Sequence, residues 1–152
     1  MSDVSAPQDP AALRLALGDL VHRYAALADQ RRTSDLAELF AEDGELVVPT
    51  PPERLEPHLE LRGRAAIAEH LSVLAGLMLT SHQLVGEVYD ALDDNRAVGR
   101  VACVAHHLDG ERDVVWHLHY DDTYVRESGV WRIRRRELRL DFIHTQRISA
   151  HR

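Results

Sequence analysis

The chain has 152 residues, a formal charge of -7 at pH 7 and a single cysteine. This length is typical of one domain that is large enough to hold a hydrophobic core. The negative charge opposes the phosphate backbone and argues against nucleic acid as a partner. One cysteine excludes an internal disulfide and a four-cysteine zinc site, and we expect a cytoplasmic protein. No apolar run approaches the roughly 18 residues of a membrane-spanning helix, so we expect no membrane partner.

The first part of the chain has the periodicity of a helix. Asp9 is a suitable N-cap and Pro10 a suitable first helical residue. Apolar residues then recur every three or four positions, which predicts one buried stripe on a helix that ends near Asp29. The stripe consists of Leu13, Leu17, Leu20, Val21, Tyr24 and Leu27.

Two shorter helices and a loop are predicted to follow. A helix that begins near Thr33 is expected to include Phe40, with a short strand over 45–49 after it. Prolines predict a loop over residues 49–57 that could cover one end of the fold. A third helix is expected after Gly63. Its apolar face would carry Ile67, Leu71, Leu74 and Met78.

From Thr80 onward the hydrophobic period changes from about 3.6 to 2, which is typical of strands. Short turn sequences such as Asp109-Gly110 separate consecutive runs and predict antiparallel strands. The predicted strands cover residues 81–89, 96–108, 112–126 and 130–143.

Together these elements predict an α+β fold. Three N-terminal helices would cover a curved antiparallel sheet, a cone-like half barrel, and enclose a pocket. Polar residues among the aliphatic residues of the predicted inner face are typical of a pocket for a small molecule. The domain is expected to span residues 10–146, with tails at 1–9 and 147–152.

Four short motifs add a resemblance to a known family. They are Tyr-Ala-Ala-Leu-Ala-Asp at 24–29, Leu-Phe-Ala-Glu-Asp-Gly at 39–44, Thr-Ser-His-Gln at 80–83 and Gly-Val-Trp-Arg-Ile at 129–133. With the order of elements, they resemble the SnoaL-like, nuclear transport factor 2-like superfamily over about residues 13–142. The resemblance implies the fold just described. It implies several functions, because this fold serves dehydratases, isomerases, cyclases and non-catalytic subunits.

In its pocket residues the chain is most similar to the scytalone dehydratase branch of that superfamily. This similarity implies catalytic roles for Asp29, His82 and His107. The chain departs from the branch at Ala28 and at Val48, where the branch has tyrosines. Those tyrosines help to bind the water that polarises the substrate carbonyl.

Physical chemistry also points to these three residues. Asp29 lies at the predicted C-terminal end of a helix, where the helix dipole disfavours a carboxylate, so an acid there favours a role in the pocket. The alternative is a solvated acid or an ion pair with Arg31 or Arg32. His82 and His107 alternate in step with apolar residues and are expected to face the interior.

Two imidazoles and a carboxylate can perform acid–base chemistry. An imidazole with its ordinary pKa of about 6.5 is the natural proton carrier near neutrality, and a carboxylate fixes its tautomer. The alternative is that His82 and His107 are structural histidines bonded to backbone groups.

Four further residues are predicted to contact a substrate: Tyr24, Tyr120, Asp122 and Tyr124. Related isomerases and cyclases place an acid on their late strands, and Asp122 is the matching position. The alternative for Asp122 is an acid at the rim that pairs with an arginine of the last strand. The arginines of the segment 131–136 are expected to coat the solvent side of that strand.

The remaining histidines raise the question of a metal. His106, His107, His117 and His119 could supply ligands, but strand alternation places His117 and His119 on the face opposite Tyr120. We therefore predict no metal and no cofactor. His117 and His119 are expected on an outer face that pairs two copies in a homodimer or larger homo-oligomer.

These observations predict a cofactor-independent lyase or isomerase, similar to a dehydratase or cyclase. It would use His/Asp acid–base chemistry on a small, apolar, cyclic or aromatic carbonyl compound. The alternative is a non-catalytic protein of the same fold, which either binds a small molecule or serves as a structural subunit.

Overall fold

The first helix shows how local sequence positions the site. In the computed structural model, which describes residues 9–150, α1 spans Pro10–Asp29. Asp9 caps it, because its Oδ1 accepts a hydrogen bond of 3.1 Å from the Ala11 N–H. The predicted stripe is confirmed except at Leu27, which is only partly buried. The buried residues of this helix are Leu13, Leu17, Leu20, Val21, Tyr24, Ala25 and Ala28.

Two short helices and six strands complete the described chain. The helices are α2 (Thr33–Ala37) and α3 (Arg64–Leu71), and a 3₁₀ turn (Ser72–Gly76) follows α3. The strands are β1 (Phe40–Thr50), β2 (Arg54–Arg62), β3 (Leu79–Asp93), β4 (Arg96–Asp109), β5 (Arg112–Glu127) and β6 (Val130–Arg147).

The strands form one curved, unclosed sheet in the order β2-β1-β6-β5-β4-β3. Strands β3 to β6 form the predicted antiparallel meander. Strand β1 lies parallel to β6, so the sheet is mixed where a purely antiparallel one was predicted. The helices cover its concave face, and the core lies between these two layers. The predicted α+β class is confirmed.

The segment around the prolines differs from the prediction. Residues 54–62 form β2, where a loop was expected up to Pro57. Strand β2 is the edge strand of the sheet, and an edge strand tolerates a residue that cannot donate a backbone hydrogen bond. The turn between β1 and β2 contains a cis peptide bond between Pro51 and Pro52.

The two short helices also end earlier than predicted. Helix α2 stops at Ala37, and Phe40 is the first residue of β1, where it is fully buried. Helix α3 stops at Leu71, and Met78 lies beyond it with 51% of its surface exposed. Apolar spacing alone did not separate these short helices from the segments that follow them.

The predicted tails lie mostly outside the described part of the chain, at residues 1–8 and 151–152. Strand β6 extends to Arg147, and the Ile148 N–H donates to the Glu111 carbonyl at 2.9 Å. Sheet pairing therefore continues into the predicted C-terminal tail. Within residues 9–150, no helix has the length and apolar character needed to cross a membrane. The cytoplasmic location stays a prediction.

Candidate active site

An apolar cavity of about 210 Å³ lies between the helices and the concave face of the sheet. Its walls are mostly aliphatic, with a few polar side chains, as in pockets that bind small molecules. The polar and aromatic lining residues are Tyr24, His70, His82, His107, Trp116 and Tyr120. The remaining lining residues are Ala28, Leu46, Val48, Pro49, Leu71, Val73, Leu74, Leu77, Ala105, Leu118 and Leu138.

Asp29 is the last residue of α1, and β3 holds its carboxylate. Its Oδ2 accepts the His82 backbone N–H at 2.9 Å, and its Oδ1 accepts the Thr80 hydroxyl at 3.1 Å. The His82 Nδ1 lies 2.6 Å from Oδ1. Arg31 donates to the Thr80 hydroxyl at 2.6 Å and makes no ion pair with Asp29. These hydrogen bonds explain how an acid is held at the unfavourable end of a helix.

The Asp29 carboxylate fixes the tautomer of His82. Burial alone would raise the pKa of Asp29, but the hydrogen bonds from His82 and Thr80 outweigh it and hold that pKa below its ordinary value. An ionised carboxylate only accepts hydrogen bonds, so the His82 Nδ1 carries the hydrogen and donates it. The His82 Nε2 is then the ring nitrogen available to a ligand.

His107 is held by the backbone of the next strand. Its Nδ1–H donates to the Val114 carbonyl at 3.0 Å, which leaves Nε2 without a proton in the neutral ring. Burial lowers the pKa of His107 and so favours this neutral form. The ring centroid lies 6.1 Å from that of His82 and 4.7 Å from that of Trp116. The structure thus brings both predicted histidines to one small cavity.

Tyr24 and Tyr120 contribute aromatic walls to the same pocket. Their ring centroids are 5.8 Å apart in an edge-to-face arrangement. The guanidinium of Arg136 packs against both rings, 3.8 Å from the Tyr120 centroid and 4.3 Å from the Tyr24 centroid. Burial raises the pKa of both phenols, so both remain protonated hydrogen-bond donors.

The prediction that Asp122 and Tyr124 contact a substrate in this pocket is corrected, because neither side chain lines it. The Arg136 Nε donates to Asp122 Oδ1 at 2.9 Å, and its Nη2 donates to Oδ2 at 2.8 Å. The Tyr124 hydroxyl also donates to Oδ2, at 2.6 Å. Arg136 and Asp122 are both fully buried at the side-chain level. This network lies behind the tyrosine wall, and its carboxylate is committed to protein donors.

Arg136 was predicted on the solvent side of the last strand, but its side chain is buried. The pairing of β5 with β6 shifts between Thr123 and Tyr124, so that Arg134 has no partner on β5. Such a bulge reverses which side chains face inward, and Arg136 turns into the core. Three consecutive arginines at 134–136 already broke the alternation, and this was the signal that could have found the bulge.

His70 was also missed by sequence analysis. It lies on α3 beside Leu71, and both side chains line the pocket. The predicted apolar face of the third helix left it out, because its neighbours in space come from the 3₁₀ turn and the sheet.

Of the histidines considered as metal ligands, His107 faces the pocket, whereas His106, His117 and His119 lie on the opposite face of the sheet. His117 lies on the outer face, stacked on Phe142 with ring centroids 4.0 Å apart. His106 Nδ1 lies 2.6 Å from Asp113 Oδ2, while His107 faces the pocket. Among residues 9–150, no three His, Cys, Asp or Glu side chains are grouped so that they could hold a metal ion.

Several solved bacterial proteins have the same fold as this chain. A candidate scytalone dehydratase from Novosphingobium aromaticivorans DSM 12444 is 25% identical over 93% of this chain and 91% of its own, with a TM-score of 0.78. An NTF2-like protein with a cystatin-like fold from the same species is 27% identical over 86% of each chain, with a TM-score of 0.64.

The hexachlorocyclohexane dehydrochlorinase LinA-type3 from Novosphingobium barchaimii LL02 shares the fold at 17% identity. It covers 90% of this chain and 91% of its own, with a TM-score of 0.75. Among proteins with curated functions, none matches this chain in sequence. The family model of the SnoaL-like domain matches residues 9–137, which include both members of the Asp29–His82 pair and His107. The chain therefore belongs to the SnoaL-like domain family.

Proposed function

We propose that the protein is a cofactor-independent lyase that removes water from a small, apolar, cyclic compound carrying a carbonyl and a hydroxyl group. The observation that carries this proposal is the pair of imidazoles in one apolar cavity, with ring centroids 6.1 Å apart and one ring bonded to a carboxylate. The likeness to a candidate scytalone dehydratase at 25% identity supports the same reaction class.

The two histidines take opposite roles in the proposed step. The neutral His107 Nε2 accepts a proton from the carbon next to the carbonyl, and the C–H electron pair forms the new C=C bond. The neighbouring C–O bond breaks, and the hydroxyl leaves with that bond's electron pair. It takes a proton from His82 Nε2 and departs as water. Asp29 offsets the positive charge of the His82 ring and keeps it oriented.

A pocket tyrosine can stabilise the negative charge that develops on the substrate. Negative charge develops on the carbonyl oxygen as the C–H bond breaks, and a protonated phenol can donate a hydrogen bond to it. Tyr120 is the donor we propose, because its ring lines the pocket and Arg136 packs against that ring. Tyr24 lines the same wall and contacts the ring system of the ligand.

The size of the cavity limits the substrate. Pockets for drug-sized ligands typically have volumes of roughly 300–1,000 Å³. The cavity here, about 210 Å³, favours a compound of one or two fused rings.

A panel of small β-hydroxy ketones with one or two rings tests the proposal. Turnover is measured as the absorbance of the conjugated enone and as loss of water by mass spectrometry. We expect His107→Asn and His82→Asn to lower turnover by roughly 10²–10⁴-fold while the folded state is retained. A wild-type protein that binds these compounds without converting any of them would contradict the proposal.

A second candidate function is binding without catalysis. Ala28 and Val48 line the pocket at the two positions where the dehydratase branch has tyrosines, and this observation favours a binding protein. The two functions separate in the same experiment. In a binding protein, His82→Asn and His107→Asn would change the dissociation constant, with no turnover to lose.

We also propose a homodimer formed through the outer face of the sheet. There, Phe142 is 52% exposed and stacks on His117, whose Nε2 is buried without a hydrogen-bond partner among residues 9–150. A second copy would cover the exposed ring. Sedimentation should give a dimer for the wild type and a monomer for Phe142→Asp. A 17.2 kDa wild-type monomer at high micromolar concentration would contradict this proposal.

A further inference from the structure

Polar side chains line the pocket from two directions. His82 lies on β3 and His107 on β4, at one edge of the sheet. His70 lies on α3, which packs against β1 and β2 at the other edge. All three imidazoles line the same cavity.

The wall between these two groups is apolar. It is supplied by the central strands and β1 through Leu46, Val48, Leu118 and Leu138. Because α3 packs at one edge of the sheet and β3 and β4 lie at the other, we expect a ligand that contacts His70 as well as His82 and His107 to reach across this aliphatic wall. The arrangement suits a flat, apolar ring system with a polar group at each end.

The His70 imidazole is free to bind such a group. Within residues 9–150, the structure gives its ring no hydrogen-bond partner. The side chain is half-buried, and burial lowers the pKa of His70, which favours the neutral ring. A neutral imidazole offers one donor and one acceptor, so it can bind either a hydroxyl or a carbonyl oxygen. A polar group that is half-buried without a partner gains free energy when a ligand supplies one.

We infer that the ligand carries two oxygen groups, one at His82 and His107 and a second at the far end of its ring system, hydrogen-bonded to His70. His70 is then a specificity residue, which selects rings oxygenated at both ends over rings oxygenated at one. A site built to hydrogen-bond a ligand group discriminates against analogues that lack it. This inference rests on the ligand class proposed above and adds the position of a second oxygen.

Three naphthalene probes test it without knowledge of the natural substrate. 2-Naphthol has one hydroxyl, 2,6-dihydroxynaphthalene has one at each end, and 2,3-dihydroxynaphthalene has two at the same end. Isothermal titration calorimetry gives the dissociation constants. For the wild type we expect the 2,6-diol to bind roughly 3–10-fold more tightly than 2-naphthol, the effect of one net hydrogen bond. The 2,3-diol should show no such gain.

Variants of His70 test whether the tighter binding of the 2,6-diol depends on its side chain. His70→Leu should abolish the advantage of the 2,6-diol, measured as the ratio of its dissociation constant to that of 2-naphthol in the same variant. His70→Gln keeps a donor and an acceptor and should retain part of the advantage. His22→Leu is the matched control, because His22 is an exposed histidine on a helix outside the pocket.

The outcomes separate this inference from the proposed function. If 2-naphthol binds and the 2,6-diol has no advantage, or keeps it in His70→Leu, the role of His70 is wrong and the ligand class stands. Equal losses for all three probes in His70→Leu would indicate a packing effect and overturn the inference. If no probe binds, the inference and the proposed ligand class both fail.

Discussion

The Asp29–His82 pair and the Asp122–Arg136 pair are chemically similar but differ in access. Each joins a carboxylate to a basic side chain beside the same tyrosine-walled pocket. Both oxygens of the Asp122 carboxylate are bonded to Arg136 and one also to Tyr124, so we call Asp122–Arg136 the sealed pair. The Asp29 side chain is 28% exposed and His82 keeps one ring nitrogen for a ligand, so we call Asp29–His82 the open pair.

The difference lies in whether each pair leaves a polar atom accessible from the pocket. A group that transfers protons needs an atom that is not committed to the protein, and the Asp122 network offers none to the pocket. The Arg136 Nη1 lacks a hydrogen-bond partner within residues 9–150, yet it is buried behind Tyr24 and Tyr120. The sealed pair therefore supports the tyrosine wall, and the open pair is the one for which we propose acid–base chemistry.

The largest expected effect comes from breaking the sealed pair. Asp122→Leu leaves the Arg136 guanidinium buried without its counter-charge, which should lower the free energy of unfolding by about 3–5 kcal/mol. Chemical denaturation followed by circular dichroism measures this loss. Asp29→Asn should cost much less, because its site is partly exposed to solvent.

A double variant sharpens this result. Asp122→Leu combined with Arg136→Met removes both charges and should recover most of the stability lost in the single variant. If Asp122→Leu alone is as stable as the wild type, the sealed pair is not the structural element we describe.

The fold could be predicted from the sequence to a large extent, because its signals are local. The cap at Asp9, the helical stripe of α1 and the period of two beyond Thr80 each specify an element without reference to the rest of the chain. The parallel pairing of β1 with β6 could not be predicted in this way. It depends on which strand of the meander β1 lies against, and that pairing joins segments far apart in the sequence.

The site could be predicted less completely, because bulges change the face on which a side chain lies. Alternation correctly placed His82 and His107 in the pocket, since β4 pairs without interruption. In β3 a bulge follows Leu84, so Val88, which strict alternation would place on the same face as His82, is 58% exposed. In β6 a bulge at Arg134 produces the opposite error. A bulge is fixed by pairing between strands and is not encoded in the alternation of one strand.

A smaller effect, on turnover, is expected from changes in the open pair. If Asp29 acts only through the orientation of His82, removing both groups should cost little more turnover than removing His82 alone. Asp29→Asn, His82→Asn and the double variant form the cycle, measured as kcat/KM on a converted ketone. Fully additive losses would show that Asp29 acts on the substrate independently of His82.

The smallest expected effect concerns pH and the neutral ring of His107. Burial lowers the pKa of His107 in the folded state, so below the ordinary histidine pKa of about 6.5 the unfolded chain binds more protons. Stability should therefore fall as the pH decreases from about 6.5 towards the lowered pKa. The pKa of His70 is lowered in the same direction, also by burial, so both rings contribute.

The pH effect can be assigned by comparing variants. Urea unfolding of the wild type at about pH 7.5 and about pH 5.5 should show a loss of stability at the lower pH. That loss should become smaller in His107→Asn and, separately, in His70→Leu. Asp29 does not contribute in this window, because its pKa is lowered from an ordinary value near 3.9 and its stabilisation is lost only at more acid pH.

The neutral His107 ring is also the proposed base, so the acid limb of kcat/KM should have its midpoint below about 6.5 and follow the lowered pKa of His107. An acid limb centred above that value would mean that the titrating group is not His107 and would contradict its proton-accepting role.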